Sequence, residues 1–192
     1  MSVPDGEAPA PRGSVPVWDV AVRLLHWLLA GLVIFCWIQD DGGQVHRTAG
    51  YVAAGAVVAR LLWAATLARG HGSLASLKPS VSATLAFLRA RAPRCIEHDP
   101  LGRWMVWLLW LLVLLLALTG WMSRLDAFWG DERVQNIHAW LADGLLAAVA
   151  LHLLGVGAMS WRWRENLPGA MLTGRKRNGH AGAGAQTCKS NE

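Results

Sequence analysis

Long apolar stretches divided by short polar breaks organise this chain. The first runs over about 17–38, "VWDVAVRLLHWLLAGLVIFCWI", and the break "QDDGGQ" parts it from the second, about 45–67, "VHRTAGYVAAGAVVARLLWAATL". The third, about 101–123, follows Pro100, a residue suited to a helix start, and the fourth covers about 134–160. Each meets the roughly 20 helical residues needed to cross a hydrocarbon core about 30 Å thick. A break as short as the first returns the chain as an antiparallel hairpin. The pattern predicts an all-α integral membrane protein, a four-helix up-and-down transmembrane bundle.

Charge orients the bundle. The connection between the second and third spans carries Arg69, Lys78, Arg89, Arg91 and Arg94, and the segment after the fourth carries Arg162, Arg164, Arg175, Lys176 and Arg177. The other two loops hold Asp40, Asp41, Asp126, Asp131 and Glu132, against Arg124 and Arg133. Cations mark the cytoplasmic side, so both termini are expected there. The stretch "SVSATLAFLRARA" suits a short interfacial helix, with a solvated loop as the alternative.

Composition agrees with a membrane class: 54% of the 192 residues are hydrophobic, 16% are charged, and mean hydropathy is +0.30. Residues 1–16, rich in Pro, Gly and small side chains, read as a disordered lead. Residues 17–167 form the expected transmembrane domain, and 168–192 a basic, largely disordered tail. Cys36, Cys95 and Cys188 are scattered, with no C-x-x-C or C-x-x-C-H spacing, so neither a redox dithiol nor covalent haem attachment is encoded. No nucleic-acid partner is expected; lipid is.

Four of the seven histidines fall inside the spans, where an imidazole is costly unless paired or liganded. His26 and His152 each lie about 12–14 Å above the inner boundary at 1.5 Å per residue. His46 and His138 lie close to the outer boundary. Two pairs result, each drawn from two helices. His138 and His152 are fourteen residues apart, about 21 Å along one helix and within about 40° on its surface. Zinc asks for about four protein ligands, and neither level offers a matching Cys, Asp or Glu. Haem iron needs two axial ligands, and four apolar helices can enclose a flat macrocycle, so bis-histidine haem is the economical reading. A hydrogen-bonding role at a helix interface is the alternative for any single one of these histidines. His71, His98 and His180 lie outside both levels and are not candidate ligands.

Other residues add detail. Arg47 at the outer level, and Arg23 and Arg60 at the inner, are candidate contacts for haem propionates. Snorkelling to the headgroups is the alternative for Arg23 and Arg60. Gly31, Gly50, Gly55, Gly144 and Gly155 could admit a macrocycle or serve small-residue packing. Most of the 12 tryptophans sit near span ends, as interface anchors do. For Trp27 and Trp140, core packing is favoured over lining haem edges.

The pieces "VWDVAVRLLHW", "VHRTAGYV" with "ARLLWA", "EHDPLGRWMV", "LALTGW", "IHAWLADGLLAAVALHLLGV" and "RENLPGAMLTGRKR" together resemble the bacterial cytochrome b561 family, related to the b-type cytochrome subunits of nickel–iron hydrogenases. The resemblance covers Val17 to Arg177. It implies a di-haem protein with His26 and His152 on one haem and His46 and His138 on the other, which agrees with the pairing by depth. It also implies electron transfer between the quinone pool and a partner redox protein such as a cytochrome c or a dehydrogenase, in the manner of a quinol oxidoreductase. "EHDPLG" departs from the family's "HNPLG" form at Asp99. Two other readings stay open: an anchor subunit of a hydrogenase or other dehydrogenase, and a haem-free transport or scaffold protein.

Overall fold

The computed structural model describes residues 14–67, 73–91 and 99–177, without the side chains of 14–16 and 177. His71, Cys95, His98, His180 and Cys188 lie outside the described residues, as do 1–13 and 178–192. The protein is mostly helical, and four helices are long and apolar enough to cross a membrane: α1 (Val20–Ile38), α2 (Gln44–Thr66), α4 (Pro100–Met122) and α5 (Glu132–Trp163). α3 (Val81–Arg89) and α6 (Leu167–Thr173) are short, and strands β1 (Ser14–Pro16) and β2 (Arg175–Arg177) pair antiparallel.

Acidic side chains set three of the four long helix starts by accepting orphan backbone N–H groups. Asp19 accepts from the Val22 amide at 2.8 Å, and its other oxygen accepts from Trp63 Nε1 at 3.2 Å. α1 therefore begins at Val20 rather than at 17. The amides of Val17 and Trp18 are committed elsewhere, both donating to the carbonyl of Gly174, at 2.8 and 3.2 Å. Asp99 caps α4 through the Gly102 amide, with Pro100 in its first turn. Asp131 caps α5, which runs to Trp163 and closes on Arg164 in the left-handed conformation. Ser80 caps α3 through the Ala83 amide, so the segment expected to form an interfacial helix is helical over Val81–Arg89.

α1 packs on α2, α2 on α4, and α4 on α5. Their shared core is Ala53, Val57, Leu77, Trp110, Val113 and Leu145. Small residues on α2 let the larger ones of α4 approach, as membrane interfaces require when lipid offers no hydrophobic drive. Apart from Arg23 and His26, α1 is largely apolar, and few of its residues are buried by neighbours, so its outer surface faces lipid. Trp107 Nε1 donates to the Leu77 carbonyl at 2.9 Å and Trp104 Nε1 to Thr84 Oγ1 at 3.3 Å, pinning the α2–α4 connection against α4.

The two ends of the described chain are joined: residues 14–16 pair with 175–177 as strands, directly after α6. Arg23 Nη1 donates to the Leu172 carbonyl, Lys176 is buried 6.0 Å from the Trp18 ring, and Asn166 caps α6. The signal was present in "LTGRK". Gly174 adopts φ +76°, and a Cβ there would stand 2.8 Å from the Trp18 carbonyl oxygen. Gly174→Ala should therefore lower the thermal unfolding midpoint in detergent, at a cost of about 1 kcal/mol or more.

Asp99 gives a pH prediction. Burial pushes its carboxyl above the ordinary range, against the opposing pull of the Gly102 amide, Lys176 and Arg103. The folded protein then holds this proton more tightly than the unfolded chain does. That contribution to stability is complete below about pH 4, the ordinary aspartate value, and is lost as pH rises through the higher folded value. Asp99→Asn keeps a helix-capping oxygen without a titrating proton. Its stability relative to the parent should climb between pH 4 and 7, followed by thermal unfolding; a flat difference would contradict the assignment.

Candidate cofactor site

His46 and His138 meet. His46 lies in the first turn of α2 and His138 in the second turn of α5, and their ring centroids stand 6.3 Å apart at 66°. An imidazole nitrogen binds a first-row metal ion at about 2 Å, and lies about 1 Å from its own ring centre, so two axial imidazoles on one ion have centroids about 6 Å apart. The separation suits a shared metal. The described residues bring together no group of three or more His, Cys, Asp or Glu. Two nitrogen donors and an open equatorial plane match a haem far better than a site built of protein ligands alone.

The Nδ1 atoms have partners. His46 Nδ1 is 2.6 Å from the carbonyl of Gln39, an acceptor only, so this nitrogen carries the proton and Nε2 is left as the ligating atom. His138 Nδ1 is 2.8 Å from Thr119 Oγ1. Cys36 of α1 donates its Sγ–H to the carbonyl of His46 on α2, at 3.8 Å.

Around both rings lies a cavity of about 700 Å³, within the usual span of cofactor pockets, about 300–1,000 Å³. Leu32, Val33, Val113, Leu116 and Val149 supply apolar walls, and Arg47, Arg124 and Gln135 polar groups. Gly50, one turn beyond His46, lines it with nothing within 4 Å of where a Cβ would be. These residues fit a flat, largely apolar macrocycle with acidic substituents.

His26 lies on α1 and His152 on α5. Both are half-buried, and His26 Nδ1 is buried without a hydrogen-bond partner. Of the two pairs expected from depth, the structure sets His46 beside His138.

The arginines divide. Arg47 joins the cavity, its Nη2 donating to Gln44 Oε1. Arg23 ties α1 to the carbonyl of Leu172. Arg60 is buried, with its guanidinium 5.7 Å from the Trp110 ring centre and under the attraction of Asp19, so it does not snorkel outward. Core packing does not hold for Trp140, which is 72% exposed toward lipid, nor for Trp27, which is exposed and edge-on to the His26 ring. Trp37 and Trp129 line the cavity instead. Sequence reasoning also passed over Thr119, Gly120 and Arg124. The first two stand at the depth of His138 on the neighbouring span, which was the available signal; Arg124 was counted only as a loop cation.

Residues 17–174 match the protein family described as prokaryotic cytochrome b561. The chain belongs to this family. Neither a curated protein nor a solved structure matches it. Membership makes this chain a multi-pass membrane cytochrome of the b type, a class that holds haem without covalent attachment and transfers electrons.

For this cytochrome b561 family member, Gly50→Leu should fill the cavity beside His46. Haem per chain, read from the reduced visible spectrum, should fall while far-UV helicity stays the same. Undiminished haem would place the macrocycle elsewhere.

Proposed function

We propose that this chain is a di-haem b-type cytochrome of the bacterial inner membrane, transferring electrons between the quinone pool and a partner redox protein. His46 and His138 are the axial ligands at one level, His26 and His152 at the other. The observation that carries this reading is the opposed pair His46 and His138, 6.3 Å between centroids across a cavity of about 700 Å³. Bound haem supplies one-electron chemistry to the site.

The protein's part is to hold and shield. The imidazoles present Nε2 toward each other from helices that cannot shift independently, since α4 packs against both α2 and α5. Leu32, Val33, Val113 and Leu116 keep water from the centre of the cavity. Arg47 and Arg124 offer cations to propionates at its mouth, and Arg23 and Arg60 are the corresponding candidates at the inner level. α5 is continuous from Glu132 to Trp163, so it sets the rise between the two levels at about 21 Å.

Helices α1, α2, α4 and α5 run up and down with both termini in the cytoplasm. The reading is supported by the cations on and near α3 and after α5, including Arg89, Arg91, Arg162, Arg164 and Arg175. A reporter fused after residue 192 should be active only in its cytoplasmic form; an active periplasmic form would reverse the orientation.

The decisive experiment is haem stoichiometry on purified protein. Two b-type haems per chain are expected. His138→Ala and His152→Ala should each retain close to one, with the lost haem belonging to a different spectral component in each variant. Retention of two haems in either variant would remove that histidine from the ligand set.

A further inference from the structure

Thr119 stands beside His138 in a way that packing alone does not explain. It is buried, with 8% of its surface exposed, so water does not compete for its hydroxyl. A hydroxyl has one proton to give. Oγ1 of Thr119 lies 2.9 Å from the Leu115 carbonyl and 3.2 Å from that of Leu116, both acceptors only, in the back-bonding geometry of threonine within a helix. With its proton on either carbonyl, Oγ1 turns a lone pair toward His138 Nδ1, 2.8 Å away; the Leu116 backbone is a second partner of the ring.

The next residue borders the same ring: a Cβ on Gly120 would stand in ordinary contact, 3.4 Å from His138 Cε1.

Building on the ligand role given to His138 above, we propose that Thr119 is a positioning residue for that ligand. Its oxygen accepts the Nδ1 proton, holds the ring in the tautomer that exposes the Nε2 lone pair to the cavity, and raises the basicity of that nitrogen. Partners of this kind fix ring orientation and tune a bound metal. A more basic axial imidazole favours the oxidised iron and lowers the potential of the haem it holds. His46 is served by the backbone carbonyl of Gln39, which no side-chain substitution deletes, whereas His26 Nδ1 is buried without a partner. Thr119 is therefore a lever on one haem of the two.

The test compares the parent with Thr119→Val, which keeps the shape and loses the oxygen, and Thr119→Ser, which keeps the oxygen. In apoprotein labelled with ¹⁵N-histidine, the His138 signals should report a protonated Nδ1 in the parent and the serine variant, and a move toward a protonated Nε2 in the valine variant. In holoprotein, redox titration of the visible bands should show one component with a raised midpoint in Thr119→Val, the other unmoved, and both at parental values in Thr119→Ser. Affinity for that haem should drop about 10- to 100-fold in the valine variant. An unchanged tautomer and midpoint in Thr119→Val, or equal shifts in both variants, would overturn the proposal. Should the valine variant not accumulate, Thr119→Ala goes through the same measurements with the same criteria. Absence of haem in the parent would sink the haem reading itself, while the tautomer signals still decide whether Thr119 sets the ring.

Discussion

Lipid cannot satisfy a polar group, and the rest of the structure depends on that constraint. Each backbone N–H and C=O in the hydrocarbon must find its partner inside the protein, which leaves helices as the way across for this chain. The same demand falls on each imidazole. At the end of the bundle near residues 39–43 it is met from neighbouring elements: the Gln39 carbonyl for His46, the Thr119 hydroxyl for His138. Those two bonds turn a costly pair of side chains into an oriented pair of nitrogen donors facing one cavity.

At the other end of the bundle the chain laces itself together. The carbonyl of Gly174 receives the amides of Val17 and Trp18, β1 pairs with β2, Arg23 holds the end of α6, and Asp19 joins the start of α1 to Trp63 of α2. Most of these are single hydrogen bonds, each worth about 1 kcal/mol net. Together they tie both ends of the described chain to the helices. This matters for the site because α1 is otherwise held by few buried side chains, Val22 alone being buried along its length. Anchoring its first residues fixes the start of the helix that carries His26.

The fold was legible in the sequence wherever the signal was collective. A run of twenty apolar residues has one low-energy solution in lipid, so the four helices appear within three residues of their expected ends. The nearness of His46 and His138 was legible too, because depth is counted along a helix of fixed rise. The pairing of the chain ends was not. Composition in Pro, Gly and basic residues reads as disorder, and only the closure of Gly174 on Trp18 makes strands of segments that are 3 residues long. Trp140 went astray for a related reason: its place on the helix circumference, toward lipid rather than core, follows from which helix stands beside α5.

By itself the sequence determined the number and length of the spans, the levels at which imidazoles sit, and the family to which the chain belongs, since these follow from hydropathy, helical rise and ordered motifs. Tertiary structure alone decided which groups complete those imidazoles. Thr119 and His138 are nineteen residues apart on different helices, and Gln39 lies in a loop. A hydrogen bond is specified to a few tenths of an ångström, and no periodicity along one helix determines how another is rotated against it.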